Sequence, residues 1–249
     1  MDSLVLLRMH FIPSGLAVPA GFNPKINSPT WITRRLLLRA VHKYAPQCKG
    51  RLLDFGCGAK PYRSLFEVQE YIGVDFAGEG HDHSNEQIDF FYDGRHLPFD
   101  DGSFDVVFST EVFEHVFNLQ EMLAELHRVL KPGGLMLFTC PFAICEHEQP
   151  VDFARYTSFG IRHLMISHGF EVVEQEKLGT AQEALWQMRI TYWNLHIVER
   201  FRNIPVVRNI VRYGFNVLAN MAAVVCHSIL PKRQDLYLNN VLLVKKEAS

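Results

Sequence analysis

The 249-residue sequence predicts an α/β fold built on a mostly parallel, doubly wound sheet. Three observations predict it. Short apolar runs ending in Asp54, Asp75 and Asp93 alternate with loops and helical stretches. The first run leads into a tight turn, Gly56-Cys57-Gly58. Late in the chain, about 60 residues separate two strands, too many for a structureless loop in a compact domain, so a helical insertion is expected there.

The elements follow in order. Residues 11–30 are rich in Pro, Gly and Asn and read as a loop. Ser28-Pro29-Thr30 then caps a helix over Trp31–Tyr44, where Ile32, Leu36, Leu37, Ala40 and Val41 recur at helical spacing. Strands are expected at Arg51–Phe55, Tyr71–Val74, Ile88–Tyr92, Phe104–Phe108 and Gly134–Thr139. Leu119–Leu130 carries one apolar helix face, and Lys131-Pro132-Gly133-Gly134 ends that helix and turns the chain. A helix over Ile161–His168 closes at Gly169, and strands follow at Phe170–Glu174 and Leu236–Val244. That makes seven strands, arranged as an N-terminal loop and helix (1–50), a core (51–178), a helical insertion (179–235) and a last strand (236–249).

Composition narrows the class. Apolar residues make up 48% and charged residues 21%, which excludes a disordered chain or a fibre. Five cysteines without a C-x-x-C pair give no disulfide framework and fit the reducing cytoplasm. Leu4–Leu7 is too short for a signal-peptide core, with Asp2 before it and Arg8 and His10 after it. The net charge of −2 is uneven: +6 over 1–50, −13 over 51–178 and +4 over 179–235. Basic flanks fit either an anionic partner or segments that pack on the acidic middle.

Within the insertion, Tyr213–Ile229 read as a helix places Asn216, Asn220 and His227 on one narrow polar stripe. Leu218, Met221, Ala222, Val225 and Ile229 form the broad opposing face. With Arg208, Arg212, Lys232 and Arg233 around it, that face suits the protein core, a second subunit in a homodimer, or an anionic lipid surface through residues 208–233.

The chemistry starts at Leu52-Leu53-Asp54-Phe55-Gly56-Cys57-Gly58-Ala59-Lys60-Pro61. Glycines at 56 and 58 let the backbone turn and approach a ligand where a Cβ would collide. In open α/β sheets ligands bind at the carboxyl ends of strands, where Asp54, Asp75 and Asp93 stand. Asp75 lies near the distance at which a carboxylate holds two ribose hydroxyls. A dinucleotide site wants a third glycine, and Pro61 occupies that position. Asp54 ahead of the loop suits a cationic group instead, which favours an adenosine cofactor carrying ammonium and sulfonium.

With those motifs quoted, the chain resembles the class I S-adenosylmethionine-dependent methyltransferases of the type-11 group. The likeness runs from Leu52 to about Val173 through LLDFGCGAKPY, YIGVDF, DGRHLPFDDGSFDVVFSTEVFEHV, ELHRVLKPGGLMLFTCPF and RYTSFGIRHLMISHGFEVVE. It implies a Rossmann-like sheet whose last strand is antiparallel, and S-adenosylmethionine as cofactor. It also implies roles. Asp54 would hold the methionine ammonium. Gly56, Cys57 and Gly58 would line the methionine and ribose, and Asp75 would hold the ribose. Asp93, with the backbone of Gly94 and Arg95, would take the adenine, flanked by Phe76 and Leu97. Ser109, Thr110 and Glu111 would flank the sulfonium.

Methyl transfer is an in-line displacement in which the enzyme mainly aligns the partners and excludes water. The acceptor side follows the fifth strand. There His147 is the first candidate base, being mostly neutral near pH 7. Glu148, Asp152 and Tyr156 are further candidates, and Arg155 suits an anion. His81-Asp82-His83 lacks further ligands in its context, so no metal is assigned. His115 is read as structural or as touching substrate. The expected acceptor is a small molecule, a glycan or a lipid-linked compound, taken by O-methylation. A nucleic-acid methyltransferase lacks its appended module and base-handling motif here, and a non-catalytic cofactor-binding protein is the other alternative. The expected place is the cytoplasm, including the inner face of a membrane.

Overall fold

The computed structural model describes residues 17–76, 78 and 87–247. His81-Asp82-His83 and Leu4–Leu7 lie outside the described residues. Seven strands form one sheet: β1 (Arg51–Phe55), β2 (Glu70–Phe76), β3 (Phe90–Tyr92), β4 (Phe104–Thr110), β5 (Leu130–Pro141), β6 (Phe170–Leu178) and β7 (Asn239–Lys246). The order is β3-β2-β1-β4-β5-β7-β6. The helices are α1 (Trp31–Tyr44), α2 (Leu119–Val129), α3 (Ser158–Ser167), α4 (Ala181–Tyr192) and α5 (Pro205–Ile229).

β1 pairs in parallel with β2 on one side and β4 on the other; β2–β3 and β4–β5 are parallel too. β7 runs antiparallel. Its end lies at the start of its neighbours: Lys246 Nζ donates to Leu130 O, and Glu247 N donates to Gly169 O. The order reverses between β1 and β4, so the connections leaving these strands diverge and open a crevice at their carboxyl ends.

The sequence explains the core. α2 buries Leu119, Met122, Leu123, Leu126 and Val129, the i, i+3, i+4 face read from the sequence. These residues join Leu53, Phe55, Phe104, Val107, Phe138, Ile161 and Phe170 in one cluster. Each such side chain contributes roughly 1.5–3 kcal/mol by leaving water. Thr157 caps α3 by accepting from Gly160 N at 3.0 Å, which starts that helix three residues before the expected Ile161.

Several boundaries differ from expectation for local reasons. β3 begins at Phe90, not Ile88, because Asp89 turns aside to accept from Gly73 N at 2.7 Å. Lys131-Pro132-Gly133-Gly134 does not leave the sheet. Phe104 pairs with Leu130 and Val106 with Leu135, so the segment is a bulge within β5. β4 runs two residues further than expected, which carries Ser109 and Thr110 on a strand end.

The chain divides into two compact units. The first gathers the described residues of 41–142, 146–177 and 240–247, and holds the sheet save the ends of β6 and β7. The second takes in 143–145, 178–239 and the described residues up to 40. In the second, Thr180 and Glu183 form a reciprocal cap at the start of α4. His227 Nδ1 of α5 lies 3.1 Å from Glu183 Oε2. Burial pushes the Glu183 carboxyl up, but His227 and the Thr180 donors outweigh it and hold it below the usual range.

α5 buries one of its two faces and exposes the other. Its polar stripe is the inner one. Asn216 and Asn220 are buried, the first donating to Asn27 O at 3.1 Å and the second to Ile26 O at 2.6 Å and Ser28 O at 3.0 Å. Its apolar face is the outer one: Val206, Ile210, Leu218, Met221, Val225 and Ile229 are each more than half exposed. Among the described residues no helix is long and apolar enough to cross a membrane.

Candidate active site

The carboxyl ends of β1, β2, β4 and β5 converge on one set of loops in the first unit. Gly56 has φ +70°, and both Gly56 N and Cys57 N donate to Val74 O. A Cβ at Gly56 would lie 2.4 Å from Val112 Cγ2, so this position requires glycine twice over. Gly58 N donates to Asp75 Oδ2 at 2.7 Å, and Phe76 N donates to Asp75 Oδ1 at 2.8 Å. Asp75 thus ties the glycine loop to the end of β2. Lys60, at φ +50°, donates to Asp89 Oδ2 at 2.6 Å, which fixes the loop's far side where the third glycine is missing.

Asp54 is 2% exposed and accepts the Tyr71 hydroxyl at 2.6 Å. Burial pushes its carboxyl up to about 7; the Tyr71 bond opposes this, and Asp75 adds to it. Asp93 Oδ1 accepts from Arg95 N at 2.8 Å and His96 N at 2.7 Å, and these backbone donors hold its carboxyl below the usual range. Asp93 therefore shapes the Gly94–Arg95 turn, and Arg95 N is engaged within it. The Phe76 ring packs on Gly94, where a Cβ would lie 2.8 Å from Cε2. Leu97, by contrast, is buried in the core cluster.

At the end of β4, Ser109 Oγ donates to Phe55 O at 3.0 Å. Glu111 sits at φ +56°, its amide on Thr139 O and its Oε1 accepting from Thr139 Oγ1 at 2.8 Å. The non-glycine residues held at positive φ among those described are Lys60, Glu111 and Glu148, and all three belong to this end of the sheet. Left-handed backbone persists where surroundings impose it, as ligand-binding loops do.

Beyond β5, polar groups gather around His147. Its amide donates to Asp152 Oδ2 at 2.9 Å, and its Nδ1 lies 3.3 Å from the same oxygen. Arg155 grips Asp152 with both terminal nitrogens, at 2.5 and 2.6 Å, and holds its carboxyl down at about 2. His147 meets His115 edge to face at 4.8 Å between ring centroids. His115 Nδ1 bonds to Val151 O at 2.6 Å, and its Nε2 lies 3.5 Å from Glu148 Oε2. Tyr156 packs on the core, Asn240 Nδ2 donates to its carbonyl, and burial, with Cys140 and Glu114 nearby, raises its phenol, so it is poorly suited to act as a base.

Glu114 was missed from sequence. It is fully buried, and neither carboxylate oxygen has a hydrogen-bond partner. Burial, then the charge of Glu111, raises its carboxyl well above the usual range. The signal was only a lone acid in an apolar run, Val112-Phe113-Glu114-His115-Val116.

Comparison with known proteins agrees with this architecture. The family model of a methyltransferase domain matches residues 53–138. A sterol 24-C-methyltransferase from Pneumocystis carinii is 23% identical over 227 residues, covering 79% of this chain and 60% of that one. A fatty-acid O-methyltransferase from Mycolicibacterium smegmatis is 32% identical over 118 residues, covering 42% and 43%. The structure of Haemonchus contortus phosphoethanolamine N-methyltransferase 2, with phosphomonomethylethanolamine and S-adenosylhomocysteine, superposes with a TM-score of 0.52. That likeness is at 19% identity, covers 97% of this chain and 59% of that one, and establishes the fold. The chain spans less than two thirds of the length of these relatives. Sheet order, glycine loop and family match agree: residues 53–138 match a methyltransferase-domain family, within a sheet of the class I S-adenosylmethionine-dependent methyltransferase fold.

Proposed function

We propose that the chain transfers the methyl group of S-adenosylmethionine to a hydroxyl of an acceptor with an apolar tail, at an anionic membrane surface. One observation carries the acceptor class. α5 turns its apolar face to solvent, with exposed Arg200 and Arg202 before the helix and Lys232 and Arg233 after it. A second supports it. A cavity of about 230 Å³ in the second unit is lined by Ile144, Met188, Thr191, Tyr192, Leu195 and His196, among others. Its size suits a stretch of hydrocarbon rather than a whole drug-sized ligand. The similar proteins named for a sterol and for a fatty acid fit the same class.

In this reading Asp54 takes the ammonium, Asp75 the ribose hydroxyls, and Asp93 with Gly94 and Arg95 the adenine. Gly56, Cys57 and Gly58 let the cofactor lie against backbone. Ser109, Thr110 and Glu111 flank the sulfonium. The acceptor oxygen attacks the methyl carbon in line. The carbon–sulfur bond breaks with its electron pair going to sulfur, and the hydroxyl proton leaves to His147 Nε2. His147 Nδ1 stands between Asp152 Oδ2 at 3.3 Å and Arg155 Nη2 at 3.5 Å; with its proton turned to the carboxylate, Nε2 is the acceptor. The products are a methyl ether or ester and S-adenosylhomocysteine.

The test is a transfer assay with methyl-labelled cofactor and separate lipid, quinone and glycan pools. Label is expected in the organic extract. Label confined to the aqueous glycan fraction would overturn the apolar acceptor.

A further inference from the structure

Glu114 poses a physical problem that hydrogen bonding within the chain does not solve. A fully buried carboxyl with neither oxygen bonded gives up its hydration and receives no hydrogen bond in return. Two imidazoles face it. Glu114 Oε1 lies 3.7 Å from His115 Nε2 and 3.9 Å from His147 Nε2, too far for hydrogen bonds. Glu148 Oε2 lies 3.5 Å from His115 Nε2 on the same side.

We infer that Glu114, His115 and His147 form a binding site for a zinc-class divalent cation, with Glu148 as a fourth ligand at its open side. The spacing supports it. Ligands about 2.0–2.2 Å from a tetrahedral ion stand roughly 3.4 Å apart. One atom each from Glu114, His115 and His147 already lies within 4.8 Å of the others, so small side-chain shifts close the shell. The outer contacts support it independently. Each histidine has its Nδ1 near an oxygen, Val151 O for His115 and Asp152 Oδ2 for His147, the latter beside Arg155 Nη2 at 3.5 Å. Those contacts orient the two rings so that both Nε2 atoms face Glu114, as in carboxylate–histidine–metal arrangements. Two nitrogen donors with carboxylate favour zinc or a neighbour in the first transition row over magnesium or calcium.

The inference deepens the hydroxyl-acceptor reading, and its role rests on that reading. An ion here replaces the free imidazole as the agent that makes the hydroxyl acidic. The acceptor oxygen binds the ion, its proton passes to water or to Glu148, and methyl transfer proceeds with the cation unchanged. Glu114 and Glu148 offset the cation's charge, and Asp152 acts through His147 as a positioning residue.

The test uses the full chain, treated with chelator and titrated with Zn²⁺ by calorimetry and with Co²⁺ by visible absorption. One equivalent is expected, with the absorption bands of a four- or five-coordinate cobalt site. His115→Gln and His147→Gln should each weaken binding by more than about 100-fold, and Asp152→Asn by ~10–100-fold. Circular dichroism and S-adenosylmethionine affinity of the same variants report whether they fold. A folded chain that binds neither ion stoichiometrically, or binds both equally well in the histidine variants, overturns the site. Loss of the cobalt spectrum is read without any acceptor, so failure of the acceptor assignment is told apart from failure of the metal site.

Discussion

The Tyr71 hydroxyl donates to Asp54 Oδ2 at 2.6 Å, inside a site where that carboxyl is almost wholly buried. Burial lifts Asp54 to about 7, so it titrates where most carboxylates are fully ionised. The charged form is the one that holds an ammonium. Affinity for S-adenosylmethionine should therefore rise as pH goes from 5.5 to 8 and level off above. Asp54→Asn should flatten the profile. Tyr71→Phe removes the bond that favours the anion and should move the midpoint upward. The stability of the cofactor-free chain runs the opposite way. The raised carboxyl keeps its proton in the fold, so its contribution is complete below about 4 and is lost as pH rises through 7, by roughly 4 kcal/mol in the limit. Calorimetry across pH checks both signs; an affinity that falls with pH would contradict the assignment.

Asp75 grips the Gly58 amide at 2.7 Å, so its loss frees the loop as well as the proposed ribose contact. Asp75→Ala should weaken S-adenosylmethionine binding by about 1.5–3 kcal/mol. Gly56→Val should do at least as much, since the new side chain meets Val112 and the φ of +70° disfavours a β-branched residue. NAD should bind neither variant nor wild type. Unchanged cofactor heats in Asp75→Ala would show that another group holds the ribose.

His147→Ala should cut kcat by ~10²-fold or more while cofactor affinity stays within about twofold. Tyr156→Phe should retain turnover, because the phenol is raised by burial and the ring belongs to the core cluster. A slow Tyr156→Phe enzyme with normal stability would exchange the two roles.

Flotation tests the membrane surface. The wild type should rise with vesicles containing anionic lipid at low salt and remain below with neutral ones. Leu218→Asp with Ile229→Asp should abolish flotation by charging the exposed face, and Lys232→Glu with Arg233→Glu should weaken it. Secondary structure should survive both pairs, because none of these four side chains is buried. A wild type that never floats would leave the face to a second copy of the chain.

Strands and the cofactor end were legible because their signals are local. Apolar runs closing on Asp54 and Asp75, two glycines two apart, and the 3.6-residue rhythm of α2 need no tertiary knowledge. β3 was overextended because Asp89 is recruited by Gly73 and Lys60, partners set by the fold. Glu114 escaped for the same reason. A single acid among Val112, Phe113 and Val116 gains meaning only when the loop after β5 brings His147 to it. The two faces of α5 were visible in the sequence, but which one turns inward was not. Area alone favours burying the apolar side, and the carbonyls of Ile26, Asn27 and Ser28 decide otherwise.

Those carbonyls make Asn216 and Asn220 a phase setting for α5. A helix held only by hydrocarbon rolls about its axis at little cost, since one aliphatic ridge packs much like the next. An amide matched to a fixed acceptor has one correct angle, in the way a polar position fixes register in a coiled coil. Leucine at both positions would erase that angle. It would let the helix turn its outer face inward, so a change that adds apolar surface would leave a less sticky protein.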